Sequence, residues 1–170
     1  MNIADLFPVL DALRAADVPR WVAGGWGGDA LVGRQTREHR DVDLAFDASC
    51  QTAAMRALVS LGYRTETDQL PARVELAAPG RRWVDLHPVV FDAGGLGRQS
   101  DPGDGFFLYP PDGFTLGRLQ GRTIPCLSVD RQLAFRGGYD LRDVDHHDIA
   151  LLRRVKRRSA AGGEGPGGAP

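Results

Sequence analysis

The run Arg37-Glu38-His39-Arg40-Asp41-Val42-Asp43-Leu44-Ala45-Phe46 alternates polar or small residues with apolar ones through its second half. A period of two is the signature of a half-buried strand. On such a strand Asp41, Asp43 and Ala45 share one face, while Val42, Leu44 and Phe46 point into a core. Two carboxylates are then held side by side. At a separation of about 4 Å they repel by about 4 kcal/mol at an effective dielectric near 20, so the pair keeps a proton or binds a cation. Magnesium, which prefers one or two carboxylates with phosphate oxygens and water, suits the arrangement.

An Asp-x-Asp pair by itself is commonly only solvated charge, and its surroundings decide the matter. The glycine cluster Gly24-Gly25-Trp26-Gly27-Gly28 follows the strand-like Trp21-Val22-Ala23 and precedes a short apolar helix candidate, Asp29-Ala30-Leu31-Val32. A strand, a glycine turn and a helix start bring free backbone N–H groups and a positive helix end to one place, where an anion can dock. The same residues, Gly25 to Ala30, also fit the dinucleotide pattern G-x-G-x-x-A, with Asp43 or Asp47 about 20 residues on as the ribose acid. Against that alternative, the helix before Gly33 is short for a crossover, and the repeated strand-helix units of a doubly wound sheet are missing.

With 170 residues the chain is long enough for one domain with a proper core. Its formal net charge of −1 is poor for neutralising many phosphates of a nucleic acid. Cys50 and Cys126 are far apart and lack metal spacing, which fits reduced structural thiols in a cytoplasmic protein. No apolar run reaches the roughly 20 residues of a membrane span, and no signal peptide is evident at the N-terminus.

Helical spacing of Leu6, Leu10 and Leu13 predicts a helix over 3–16, with Asp5 as cap and Pro8 acceptable only near the first turn. Ser49 is the expected cap of a second helix carrying Ala54, Leu58 and Leu61, and Gly62 its stop. Strands are expected over 63–67, 73–77 and 82–90, the last two joined by Pro79-Gly80. Residues 92–113, rich in Gly, Asp and Pro, read as a long functional loop or lid. The pattern turns helical again from Ser128, and a last helix is expected over 145–157 with a basic end, Arg153 to Arg158. The domain is thus placed at 1–158, followed by a disordered Gly/Pro-rich tail at 159–170.

A third carboxylate lies on the strand Trp83-Val84-Asp85-Leu86-His87, which puts Trp83, Asp85 and His87 on one face. Beside a cation-binding pair on a neighbouring strand, Asp85 would complete a three-acid site able to take a proton from a hydroxyl.

The Gly-Gly turn, the Asp-x-Asp strand and the later Asp together resemble the nucleotidyltransferase superfamily. The chain is most similar to the lincosamide nucleotidyltransferases of the A type, through Trp21 to Phe46, Pro71 to Leu76, Val84 to Pro88, Ile124 to Ser128 and Gly137 to Ile149. Aminoglycoside 2''-adenylyltransferases share the first block. The resemblance implies an α/β (α+β) fold, a mixed sheet flanked by helices with further C-terminal helices. It implies ATP as donor, Mg²⁺, and transfer of AMP to a hydroxyl of a small antibiotic. In that scheme Asp41 and Asp43 hold the metal and Asp85 is the base. Gly24, Gly25 and Asp29 form the nucleotide turn, and Arg37 and His39 lie where triphosphate contacts belong.

Candidate acceptor contacts are Arg73, Glu75, Trp83, Phe106, Phe107 and Tyr109. Expected partners are ATP and the antibiotic, with room for a homodimer and without nucleic acid or membrane. Two rivals stay open at this stage. An aminoglycoside O-adenylyltransferase would draw on Asp92, Asp101, Asp104 and Asp112 for a polycationic acceptor. A non-catalytic nucleotide-binding protein would have kept the fold alone, against the presence of all three acids.

Overall fold

The computed structural model describes residues 1–101, 103, 105–137 and 140–162. The Asp-x-Asp segment is the strand β2 (Asp41–Asp47). It pairs in parallel with β5 (Arg82–Phe91) and antiparallel with β1 (Arg20–Val22). Beyond β5 lie β4 (Arg73–Ala78) and the edge strand β3 (Arg64–Gln69), both antiparallel to their neighbours. Beyond β1 lie β9 (Arg122–Leu127), parallel to it, and β8 (Phe114–Leu119). The order is therefore β3-β4-β5-β2-β1-β9-β8. A hairpin of β6 (Gly97–Ser100) and β7 (Phe106–Tyr109) branches from the end of β5. This mixed sheet has the expected class and excludes a doubly wound parallel one.

The alternation read from β2 holds: Val42, Leu44 and Phe46 are fully buried. They join Val84 and Leu86 of β5 and Val74 and Leu76 of β4 in one core. Helices α1 (Ile3–Ala15) and α3 (Gln51–Ser60) complete it with Leu6, Leu10, Leu13, Ala54 and Leu58. Each such large side chain contributes about 1.5–3 kcal/mol on burial. The acids thus stand on the sheet face opposite this core. Both cysteines are free, and burial pushes the Cys126 thiol up to about 12.

Several boundaries differ from the expectations for identifiable reasons. The glycine cluster is not a turn before a helix; it is the first part of helix α2 (Gly24–Val32), with Ala23 as N-cap. Glycine has weak helix propensity, which hides a helix held by tertiary packing. At α1 the cap is Asn2, which forms a capping box with Asp5, and Pro8 sits inside the helix beyond the first turn. Asp47 rather than Ser49 begins the next segment, capping a 3-10 turn over Ala48–Cys50 before α3 starts at Gln51.

The segment 92–113 is not a bare loop, since β6 and β7 lie in it. Polar Gln99, buried in β6, breaks the pattern that would have marked a strand. Strands β8 and β9 were likewise not anticipated, with Gly117 and Pro125 interrupting their apolar alternation. Helix α4 (Val129–Phe135) does begin after Ser128, whose Oγ accepts from the Arg131 N–H. Helix α5 spans Asp143–Gly162, so residues 159–162 extend the helix instead of starting a tail. The rest of the tail expectation falls on 163–170, outside the described residues, as do Asp104 and the Gly138-Tyr139 part of the C-terminal block.

One glycine of α2 is dispensable. A Cβ on Gly28 meets nothing within 4 Å, whereas one on Gly27 runs into Gln132 and the Val22 carbonyl. Gly28→Ala is expected to raise stability by about 1 kcal/mol, because alanine loses less backbone entropy in a helix. A denaturation midpoint that falls in this variant would refute the assigned space around Gly28.

Candidate active site

Register assembles the acids. Asp43 pairs with Asp85 across β2 and β5, and Glu75 pairs with Asp85 across β4 and β5. Asp41 lies one pleat before Asp43 on the same face, and His87 one pleat beyond Asp85. Ligand atoms of Asp43, Asp85 and His87 come within 4.8 Å of one another, a grouping that can hold a metal ion. His87 Nε2 is 3.4 Å from Asp43 Oδ1 and 3.8 Å from Asp85 Oδ2.

Arginines surround these acids. Arg73 donates to Asp85 Oδ2 at 2.7 Å, and Arg40 bridges Glu75 at 3.0 Å and Asp41 at 3.0 Å. Arg37 forms a two-point pair with Asp148 of α5, both bonds 2.9 Å, and Arg136 adds a third at 3.1 Å. The two β2 acids are driven apart in acidity. Burial and the charge of Asp43 push Asp41 up; burial also opposes ionisation of Asp43, but the His87 hydrogen bond pulls Asp43 down. Burial raises Asp85 to about 6, although His87 counteracts it. Asp85 Oδ1 is buried without a hydrogen-bond partner among the described residues, the kind of acceptor that a water or cation satisfies.

The N-terminus of α2 faces the same place. Ala23 provides no side-chain cap, so the first N–H groups of the helix are open to an anion. Gly24 has φ of +56°, and a Cβ there would strike the Asp43 carboxylate. At Gly25 a Cβ would strike Arg37 and His39. Both glycines are therefore required by close approach to charged groups. Together these parts line a cavity of about 1070 Å³.

Of the residues singled out from sequence, Gly24, Gly25, Arg37, His39, Asp41, Asp43, Arg73, Glu75, Asp85, Phe107 and Tyr109 line this cavity, and so does Asp101, one of the acids named for the aminoglycoside alternative. Asp29, Trp83 and Phe106 are not among its lining residues. Asp29 is buried in α2 and bonds His39 Nε2 at 2.6 Å and Thr36 Oγ1 at 2.5 Å, so it orients His39 from behind. Trp83 carries Arg40 over its ring and donates its indole N–H to Glu66. Phe106 is 63 % exposed on the hairpin. Sequence reasoning missed Arg40, Gln99, Phe135 and Arg136 as lining residues, and left His87 and Asp148 without a role. Spacing alone could have raised His87, two residues beyond Asp85; Gln99 had no comparable signal.

The profile of the aminoglycoside-2''-adenylyltransferase family matches residues 5–152. The chain belongs to that family. It is a nucleotidyltransferase. It is 38% identical over 151 residues to a lincosamide resistance protein of Staphylococcus haemolyticus, covering 89% of this chain and 94% of the relative. Among solved structures, the lincomycin-bound lincosamide antibiotic adenylyltransferase LnuA superposes with a TM-score of 0.83 at 37% identity. The match covers 91% of this chain and 98% of LnuA. ANT(2'')-Ia in complex with adenylyl-2''-tobramycin shares the fold, with a TM-score of 0.70 at 21% identity over 92% and 93% of the two chains. No helix among the described residues is long and apolar enough to cross a membrane.

The Asp148 cluster ties the cavity to stability. Burial raises its pKa, but hydrogen bonds and charge from Arg37 and Arg136 outweigh this and leave it below 3.8. A depressed folded pKa means that the stabilisation is present above the unfolded value and lost as pH falls through the folded one. Asp148→Asn is expected to cost about 3 kcal/mol at neutral pH, since it leaves two arginines unpaired. The gap from wild type should narrow below about pH 4; a gap that stays constant down to acid unfolding would contradict the pairing.

Proposed function

We propose that this chain inactivates a lincosamide by moving AMP from MgATP to one of its hydroxyls. The observation that carries the acceptor choice is that most, though not all, of the acids lining the cavity are ion-paired with arginines. Asp85, Glu75, Asp148 and Asp145 each lie within ion-pair distance of an arginine, respectively Arg73, Arg40, Arg37 and Arg142. A polycationic aminoglycoside needs convergent acids with uncompensated charge, whereas a lincosamide carries one amine and an uncharged sugar. The similarity to a lincosamide resistance protein over most of both chains supports the same acceptor.

The donor set fits magnesium: the Asp41 and Asp43 carboxylates share one strand face, and there is no thiolate among the cavity's lining residues. Asp41 and Asp43 would hold the ion, which when bound supplies charge neutralisation on the phosphates and activation of the attacking oxygen. The chain's own groups do the rest. The uncapped N-terminus of α2 receives phosphate oxygens, and Arg37 adds positive charge beside it. Asp85, whose burial raises its basicity, takes the proton from the acceptor hydroxyl. Phe107, Tyr109 and Phe135 pack edge to face and give the cavity one apolar wall for the antibiotic. An ATP-consuming reaction of this kind fits a cytoplasmic enzyme.

A mass-shift assay with MgATP tests the assignment. Lincomycin or clindamycin is expected to gain one AMP and kanamycin none; the reverse result would move the chain to the aminoglycoside reaction. Asp43→Asn should abolish transfer while the protein stays folded. For Asp85→Asn, transfer should fall about 10²–10⁴-fold, with calorimetric MgATP affinity retained, as a base but not a metal ligand requires. Affinity lost in parallel with rate would make Asp85 a ligand instead.

A further inference from the structure

Gln99 is a polar side chain in an apolar setting, 6 % exposed, on the hairpin strand that sequence reasoning missed. Its amide orientation is fixed from two sides. Oε1 accepts from the Tyr109 hydroxyl at 2.5 Å, and Nε2 donates to the Ala72 carbonyl at 3.0 Å. Turned the other way, Oε1 would meet another carbonyl oxygen, a repulsive contact. The second N–H of Nε2 is then directed at His87 Nδ1, 3.1 Å away.

That contact decides what His87 does. A ring nitrogen that accepts from Gln99 leaves the proton on Nε2, which lies 3.4 Å from Asp43 Oδ1. A nitrogen bearing a proton donates and does not ligate. Of the three groups close enough to share a cation, His87 is thereby removed as a ligand and becomes a donor to Asp43. The other oxygen, Asp43 Oδ2, lies against Gly24 at the start of α2.

We propose that Gln99 is a positioning residue for nucleotidyl transfer: through His87 it holds one oxygen of Asp43 and leaves the other facing the N-terminus of α2. The chain of bonds runs Tyr109 hydroxyl, Gln99 amide, His87 imidazole, Asp43 carboxylate. It joins the β6–β7 hairpin to the central strand without touching the reacting atoms. The catalytic consequence rests on the nucleotidyltransferase site described above, while the bonding pattern is a property of the protein alone.

The test uses full-length protein labelled with ¹⁵N-histidine and long-range ¹H–¹⁵N correlation, recorded without nucleotide at rising pH until His87 carries a single proton, because although burial opposes its charge the hydrogen bond to Asp43 holds its pKa above the ordinary histidine value. The wild type is expected to show His87 protonated on Nε2 with Nδ1 as acceptor. Gln99→Met should lose this signature and lower kcat at least about tenfold, the scale seen when a partner supporting a metal-site residue is removed. Tyr109→Phe should move the signal the same way by a smaller amount. A wild-type spectrum with the proton on Nδ1 would overturn the proposal even if Gln99→Met fails to fold. So would a folded Gln99→Met with an unchanged His87 signal or unchanged kcat. Absence of transfer to any acceptor by wild-type protein, with the His87 signature present, would instead overturn the functional assignment.

Discussion

Everything at the site depends on the parallel pairing of β2 with β5 in one register. That register sets Asp43 beside Asp85, and a slip of one residue would turn one strand's acids into the core and its leucine or valine into the cavity. The apolar half of each strand enforces it, because Val42, Leu44, Val84 and Leu86 are fully buried. The hydrophobic core therefore specifies the chemistry on the opposite face. Repulsion between the acids is the cost, and the arginines from β4, from the segment before β2 and from the C-terminal part offset it.

These arginines also shape what the cavity accepts. Arg40 pairs with Asp41 beside it and with Glu75 from 35 residues away, and Arg73 pairs with Asp85 from 12, whereas Arg37 and Arg136 converge on one buried carboxylate from distant parts of the chain. The first kind tunes the acids locally; the second fastens the wall. A pocket built this way holds most of its acids in ion pairs. It suits an acceptor that is recognised by hydrogen bonds and apolar contact more than by its charge.

How much of this was legible in the sequence follows from the range of the interactions. Asp41, Asp43 and Asp85 could be read because a strand's period of two is local, and neighbouring strands brought them together as expected. The mixed sheet class came from the family resemblance, and the strand pairing agrees with it. The start of α2 was not, because its glycines answer to the side chains of Asp43, Arg37 and His39, which approach from elsewhere. Trp83 and Phe106 were assigned to the cavity from chemistry alone; one supports Arg40 and the other faces solvent. Gln99 was invisible, since its meaning comes from Ala72, Tyr109 and His87, none of them near it in a recognisable pattern.

The Arg37–Asp148 pair joins groups 111 residues apart in sequence. During synthesis the strands that carry Asp43 and Asp85 leave the ribosome before α5 does. Until that helix docks, Arg37 lacks its carboxylate and swings free beside the mouth of the cavity. The order of synthesis thus separates folding of the scaffold from maturation of the site.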